Sequence, residues 1–357
     1  MLSLRLQALL YGLMIFGHSA LAAGAPYDPR DAATFTVLFE NDLFGNNDQN
    51  YTSGIQLNWM SPDLTEYRDS DQLPDWAVPL VESLPLINEP GLQRNIGFGV
   101  GQKIFTPEDT ERADLITDDQ PYAGWLYMSA AFHNKDQYDL DTFEIQLGVV
   151  GPAALGQETQ NFVHDLRDIP DARGWDNQLD NEPGIILIAE HKDRLLQQDL
   201  WKRFGYDIIS LYGGGAGNVH TYAGAGVEAR IGWNVPVDFG STRIRPGGDT
   251  NAPVDSSDPR FSESAPLSLH AFAGVTGNLV LRNIFLDGNT FSDSHSVDKH
   301  LLVGDFAVGV SLVYRRLKLS YTQVFRTREF DQQEDSHEFG SVSLSYTVLT
   351  IGFLGRL

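Results

Sequence analysis

The sequence predicts an all-β chain that closes into an antiparallel transmembrane β-barrel of about 12 strands, with a short helix in one connection. Three observations predict it. Beyond residue 25 the dominant apolar period is two, the period of a strand whose two faces meet different surroundings. The first 22 residues read as an export signal. None of the 357 residues is Cys, which removes disulfides, thiol nucleophiles, zinc–thiolate sites and iron–sulfur clusters together. The charge balance adds an exclusion. Lys and Arg total 25 against 48 Asp and Glu, a net −23, so the chain has no basic footprint for nucleic acid.

The signal comes first. Arg5 is its one charge, an apolar run follows from Leu6 to Phe16, and Ala20-Leu21-Ala22 supplies small residues for cleavage. That run is too short for the roughly 20 residues of a spanning helix. Residues 1–22 are expected to be removed and residues 23–357 to form one barrel domain. The first strand, 34–40, lines up Phe35, Val37 and Phe39 on one face. The second, 52–60, sets Ile55, Leu57 and Trp59 against Thr52, Gly54, Gln56 and Asn58. Strand 95–105 alternates Ile96, Phe98 and Val100 with glycines. Strands 124–133 and 142–150 repeat the pattern with Leu126, Met128 and Phe132, then with Phe143, Ile145 and Leu147. Further strands are expected at 185–191, 206–216, 219–233, 267–277, 301–314, 317–325 and 339–348. Many approach the 9–11 residues of a tilted barrel strand. A soluble sandwich also alternates. The signal, the even strand count, the lack of Cys, and Tyr and Trp near strand ends favour the membrane barrel.

With both termini at one end, alternate connections fall at the other: 41–51, 106–121, 151–183, 217–218, 283–300 and 326–338. The connections at the terminal end should be short, yet 61–94 and 236–266 are long, and within the first, 76–86 is expected on the membrane surface. The segment 151–166 breaks the period of two. Pro152 suits a first helical turn. Gln157, Gln160 and His164 fall on one helical face, with Phe162, Val163 and Leu166 on the other. The apolar face is expected against the barrel and the polar stripe toward the lumen mouth. The ordinary alternative for His164 is a solvated or hydrogen-bonded histidine. The remaining mature histidines show no metal-ligand spacing, and no H-E-x-x-H occurs.

Several segments, in order, carry a family resemblance. They are Phe39-Glu40-Asn41-Asp42, Tyr51-Thr52-Ser53-Gly54, Ile104-Phe105-Thr106-Pro107 and Pro121-Tyr122-Ala123-Gly124-Trp125-Leu126-Tyr127. Gly151-Pro152, Gly156-Gln157-Glu158, Gln160-Asn161 and His164 follow, then Gly174-Trp175-Asp176-Asn177-Gln178-Leu179 and Leu286-Asp287-Gly288-Asn289. From Phe35 to the C-terminus the chain resembles the lipid A 3′-O-deacylases of the outer membrane, the LpxR family. The resemblance implies a twelve-stranded barrel and a Ca²⁺-dependent ester hydrolase acting on the 3′ acyloxyacyl group of lipid A in the outer leaflet. A monomer, with its site facing the cell exterior, is expected. It implies functional roles for Asn41, Asp42, Thr52, Gln160 and His164, with Arg112 and Lys103 as the cations expected to bind substrate. The family's Asp-Arg-Pro-Tyr-Ala-Gly reads Asp119-Gln120-Pro121-Tyr122-Ala123-Gly124 here.

The residues allow the same chemistry. No G-x-S-x-G elbow occurs, so a water nucleophile with His164 as general base and Gln160 orienting it is simpler than an acyl-enzyme. Calcium takes hard oxygen ligands, which Asp42, Asn41 and Thr52 can offer. Asn46-Asn47-Asp48 adds more oxygens, although Asp42-Leu43-Phe44 fails the EF-hand spacing. A plain Asn/Asp-rich turn is the alternative for 41–50. Two other functions stay open. One is an outer-membrane phospholipase with a Ser nucleophile, for which Ser53 points away from the lumen. The other is a non-enzymatic porin or adhesin barrel, which has no need for these residues to converge.

Overall fold

The computed structural model describes residues 31–42, 50–64, 73–240 and 251–349. The signal segment and the Asn46-Asn47-Asp48 tract lie outside the described residues. Twelve strands are present among these: β1 (Ala32–Asn41), β2 (Asn50–Met60), β3 (Gln93–Thr106), β4 (Ala123–Lys135), β5 (Asp139–Val150), β6 (Glu182–Trp201), β7 (Phe204–Gly217), β8 (His220–Trp233), β9 (Leu267–Asn283), β10 (Leu302–Tyr314), β11 (Leu317–Arg326) and β12 (His337–Leu349). Each pairs antiparallel with its sequence neighbours, and β1 pairs with β12 from Ala32↔Leu349 to Asn41↔Gly340, closing the barrel. Closure leaves no edge strand with open hydrogen bonds, as a lipid environment requires. No helix among the described residues is long and apolar enough to cross a membrane; the strands cross it.

The period of two becomes the two faces of the wall. In β1, Thr34, Thr36 and Glu40 are buried toward the lumen, while Phe35, Val37 and Phe39 are exposed outside. In β12 the lumen column is Ser341, Ser343, Ser345 and Thr347, and Thr36 Oγ1 donates to Ser345 Oγ across the seam at 2.8 Å. Leu57, Phe98, Met128, Leu147, Val275 and Val310 continue the exposed apolar belt around the outside. β6 is far longer than the expected 185–191. Its register shifts between Arg194 and Leu196, so Leu195 and Leu196 are both exposed and the strand resumes with its alternation displaced.

The described parts of the long connection 236–266, residues 236–240 and 251–266, enter the lumen at the end that holds the termini. Val237, Phe239 and Val254 pack on the lumen-facing Leu140 and Ile209. Asp238 accepts from Arg230 Nη1 of β8 at 2.7 Å, Arg260 Nη2 at 2.9 Å and Lys318 Nζ of β11 at 2.8 Å. Asp207 of β7 accepts from Arg194 and Arg230, and Lys192 Nζ donates to the Phe239 carbonyl. Burial alone would push the Asp238 carboxyl up, but Lys318, Arg260 and Arg230 outweigh it and hold the group well below the usual carboxylate range. The connection is therefore a plug. Toward the other end the lumen keeps a cavity of about 180 Å³ lined by Glu40, Lys103, Glu190, His220, Asp305 and Arg326, among others.

Candidate active site

The helix forms at Gly156–Arg167 (α2), in the connection between β5 and β6. Its faces are turned opposite to the expectation. Gly156, Gln160 and His164 are its buried residues, while Phe162 and Leu166 are 62% and 48% exposed. Nor does it sit over the lumen mouth. A Cβ on Gly124, an outward position of β4, would lie 2.9 Å from Ala154 Cβ just before the helix, and one on Gly156 would lie 2.7 Å from the Trp175 ring. Gln102, outward on β3, donates to the Ala154 carbonyl at 2.6 Å. So α2 lies against the outer wall over β3 and β4. The inversion has a physical reason. Outside the wall the surroundings are apolar, so the apolar helix face turns away from the protein and the polar one toward it.

Local backbone geometry aims the polar side chains. Asp168 ends the helix in the left-handed region at φ 58, which an Asp tolerates better than a branched residue. The turn brings Ile169 N–H to the His164 carbonyl at 3.0 Å and Pro170 O to His164 Nδ1 at 2.7 Å. A carbonyl only accepts, so Nδ1 carries the proton and Nε2 of the neutral ring holds the lone pair. One turn earlier, Gln160 Oε1 accepts from Trp175 Nε1–H at 2.7 Å. Trp is a donor only, so the Gln160 amide is oriented with its Nε2–H₂ outward from that bond. That Nε2 is buried and finds no acceptor among the described residues. Trp175 packs with Ile104, Tyr122 and Ala172. Burial lifts the Tyr122 phenol to about 12.

Ile104 connects the helix to the first strand. It faces outward on β3, in register with Ser53 of β2, which pairs in turn with Asn41 of β1. Two strand spacings separate Asn41 from Ile104, roughly 10 Å. Asn41 continues the outward column of Phe35, Val37 and Phe39, yet it is 4% exposed where those are lipid-facing. Asp42, next to it, is fully buried. Asn41, Gln160 and His164 therefore share one end and one side of the wall. Thr52 was expected on the lumen face with Gln56 and Asn58. The β2–β3 register shifts between Tyr51 and Ser53, leaving Thr52 as the extra residue of a bulge. Its side chain lies outside the described residues. Lys103 has lumen parity and lines the lumen cavity, across the wall from α2. Arg112 is exposed and paired with Asp114 through Nε at 3.2 Å and Nη2 at 2.5 Å. Its loop is tied to the Trp175 loop by Arg173 N–H to Thr110 O and Asn177 Nδ2 to Ala113 O.

Trp175 and Ser53 are the two positions the sequence left without a role. Trp175 stood in a motif but showed no chemistry until its N–H found Gln160. Ser53 points away from the lumen, toward the side on which the helix lies.

A family model described as outer membrane protein LpxR matches residues 8–348. Among solved structures, LpxR from Salmonella typhimurium is similar at a TM-score of 0.69 and 17% identity, over 88% of this chain and 99% of that one. The β domain of the Bordetella autotransporter BrkA follows at TM-score 0.40 and 9% identity, over 88% and 97%. The translocator domain of NalP from Neisseria meningitidis stands at 0.35 and 7%, over 96% and 94%. No curated protein matches by sequence.

Proposed function

The chain belongs to the LpxR family of outer membrane proteins, and on that premise we propose that it is a Ca²⁺-dependent ester hydrolase that removes the 3′-linked acyloxyacyl group of lipid A. One observation carries the reading. The buried stripe of α2 presents a histidine with a fixed tautomer and an oriented amide to the outer wall, on the face that meets lipid. A substrate held in the leaflet reaches that face without entering the barrel.

His164 Nε2 accepts a proton from the attacking water, and the Pro170 carbonyl stabilises the imidazolium that forms through Nδ1–H. Gln160 Nε2–H₂ donates to the water or to the developing oxyanion. Asn41 and Asp42 are buried hard-oxygen donors at the end of β1, a donor set that suits Ca²⁺, and they would hold the ion together with Thr52. When bound, Ca²⁺ supplies Lewis-acid polarisation of the ester carbonyl. Arg112, exposed and paired with Asp114 on the loop tied to Trp175, would exchange that carboxylate for substrate phosphate.

Mass spectrometry of lipid A incubated with the purified protein tests the reading. Loss of the 3′ acyloxyacyl mass is expected with Ca²⁺ and not with excess EGTA. Turnover unchanged by EGTA removes the metal, and loss of a different acyl group removes the regiochemistry. Ser53 supports a second reading, as a nucleophile, because it lies on the outer face in register with both Asn41 and Ile104. Ser53→Ala separates the two: turnover persists with a water nucleophile and is lost with an acyl-enzyme.

A further inference from the structure

The connection between β2 and β3 leaves the barrel at the end that carries both termini, opposite α2. Its described part, from Leu73 onward, folds back against the outside of the wall. A short helix, α1 (Val78–Glu82), buries Val78 and Val81. Val81 and the fully buried Ile87 pack on Ile96 and Phe132, with Ala130 and Phe143 alongside. These four wall residues face outward on β3, β4 and β5, in the columns that continue into Phe98, Met128 and Leu147 of the exposed belt. Asn88 Nδ2 closes the end of α1 by donating to the carbonyls of Val81, Glu82 and Leu84 at 3.2, 3.0 and 3.1 Å. Asn134 Nδ2 of β4 donates to Glu89 O at 3.0 Å. The segment is thus fastened on one side. Its other side carries Trp76, Leu80 and Leu86, at 74%, 60% and 49% exposure.

We propose that this connection is a membrane anchor, with Trp76, Leu80 and Leu86 inserted among glycerophospholipids at the membrane surface on the terminal side of the barrel. Lipid is the occupant because the segment packs over the same outward columns of β3–β5 that carry Phe98, Met128 and Leu147 of the exposed belt. A Trp flanked by aliphatic residues is also the composition that settles at the headgroup level. Asp75, Glu82 and Glu89 are exposed on the same segment and mark its water-facing rim.

The chain has no Cys, so one introduced Cys gives a single labelling site. Leu80→Cys, Leu86→Cys, Glu89→Cys and Phe98→Cys are each made in the full chain, nitroxide-labelled and refolded into phosphatidylethanolamine–phosphatidylglycerol vesicles. Folding is checked by heat-modifiable gel migration. Collision with oxygen should exceed collision with a water-soluble nickel chelate at 80 and 86, as at the belt position 98, and the order should reverse at 89. Nickel accessibility at 80 and 86 equal to that at 89 overturns the proposal. Shielding from both reagents overturns it as well, since a second copy of the chain would then cover the face.

Discussion

His164 is held by the turn that follows it, through its carbonyl by Ile169 and through its ring by Pro170. That arrangement makes it testable alone, because the strands and not this ring sustain the barrel. His164→Ala should lower fatty-acid release from lipid A by about 10²–10⁴-fold, the range of a positioned base, while gel migration of the folded barrel stays unchanged. Turnover near wild type would remove His164 as the base. Trp175 acts through Gln160. Trp175→Phe keeps the ring against Ile104 and Tyr122 but removes the N–H, so turnover should fall by roughly fivefold, the worth of about 1 kcal/mol of hydrogen bond. In a Gln160→Ala background the same change should cost nothing further. Equal losses in both backgrounds would make Trp175 a packing residue only. Sequence motifs singled out the segments of His164, Gln160 and Trp175, but a bond between side chains 15 positions apart has no period to betray it.

At the level of elements, α2 depends on two glycines where the wall and helix meet. Gly124→Val forces side-chain atoms into Ala154 and the start of α2. The helix should shift outward by a fraction of an ångström to an ångström, with a loss on the order of 10² in turnover for a misplacement of that size. Heat-modifiable migration and turnover, measured together, check that only the second changes. All twelve strands were legible because a two-sided wall writes a period of two at almost every position. The same logic failed at two places. The α2 stripe identified the helix but not which face meets protein, since a helix against a membrane wall inverts the rule for a helix against a soluble core. β6 outran its expected end because its outward column turns polar at His191 and Asp193, which ends the apolar pattern without ending the strand.

For the whole molecule, the plug decides what the barrel is. Its charges sit where alternation alone says only polar lumen, and their partners are distant in sequence, Asp238 with Lys318 being 80 positions apart. Asp238→Ala leaves Arg230, Arg260 and Lys318 buried without their shared carboxylate. That should cost about 3–5 kcal/mol and raise ion conductance in planar bilayers above a near-zero wild-type level. Unchanged conductance would mean that Val237, Phe239 and Val254 hold the plug by themselves. The pH dependence follows from the sign of the shift. The folded-state pKa of Asp238 lies below its unfolded value. Its stabilisation is therefore present above the ordinary carboxylate range and lost only as pH falls through the lowered pKa. Conductance scanned downward from pH 7 should stay flat until well below pH 4, the ordinary carboxylate range.

Because α2 lies outside the wall, whatever reaches its inner stripe arrives sideways, by diffusion in two dimensions. The quantity that sets the encounter rate is then the mole fraction of substrate in the leaflet and not its molarity in the medium. Thinning lipid A with inert detergent at constant bulk concentration should slow turnover in proportion, the surface-dilution behaviour of an interfacial enzyme. A site reached through the lumen would leave the rate unmoved.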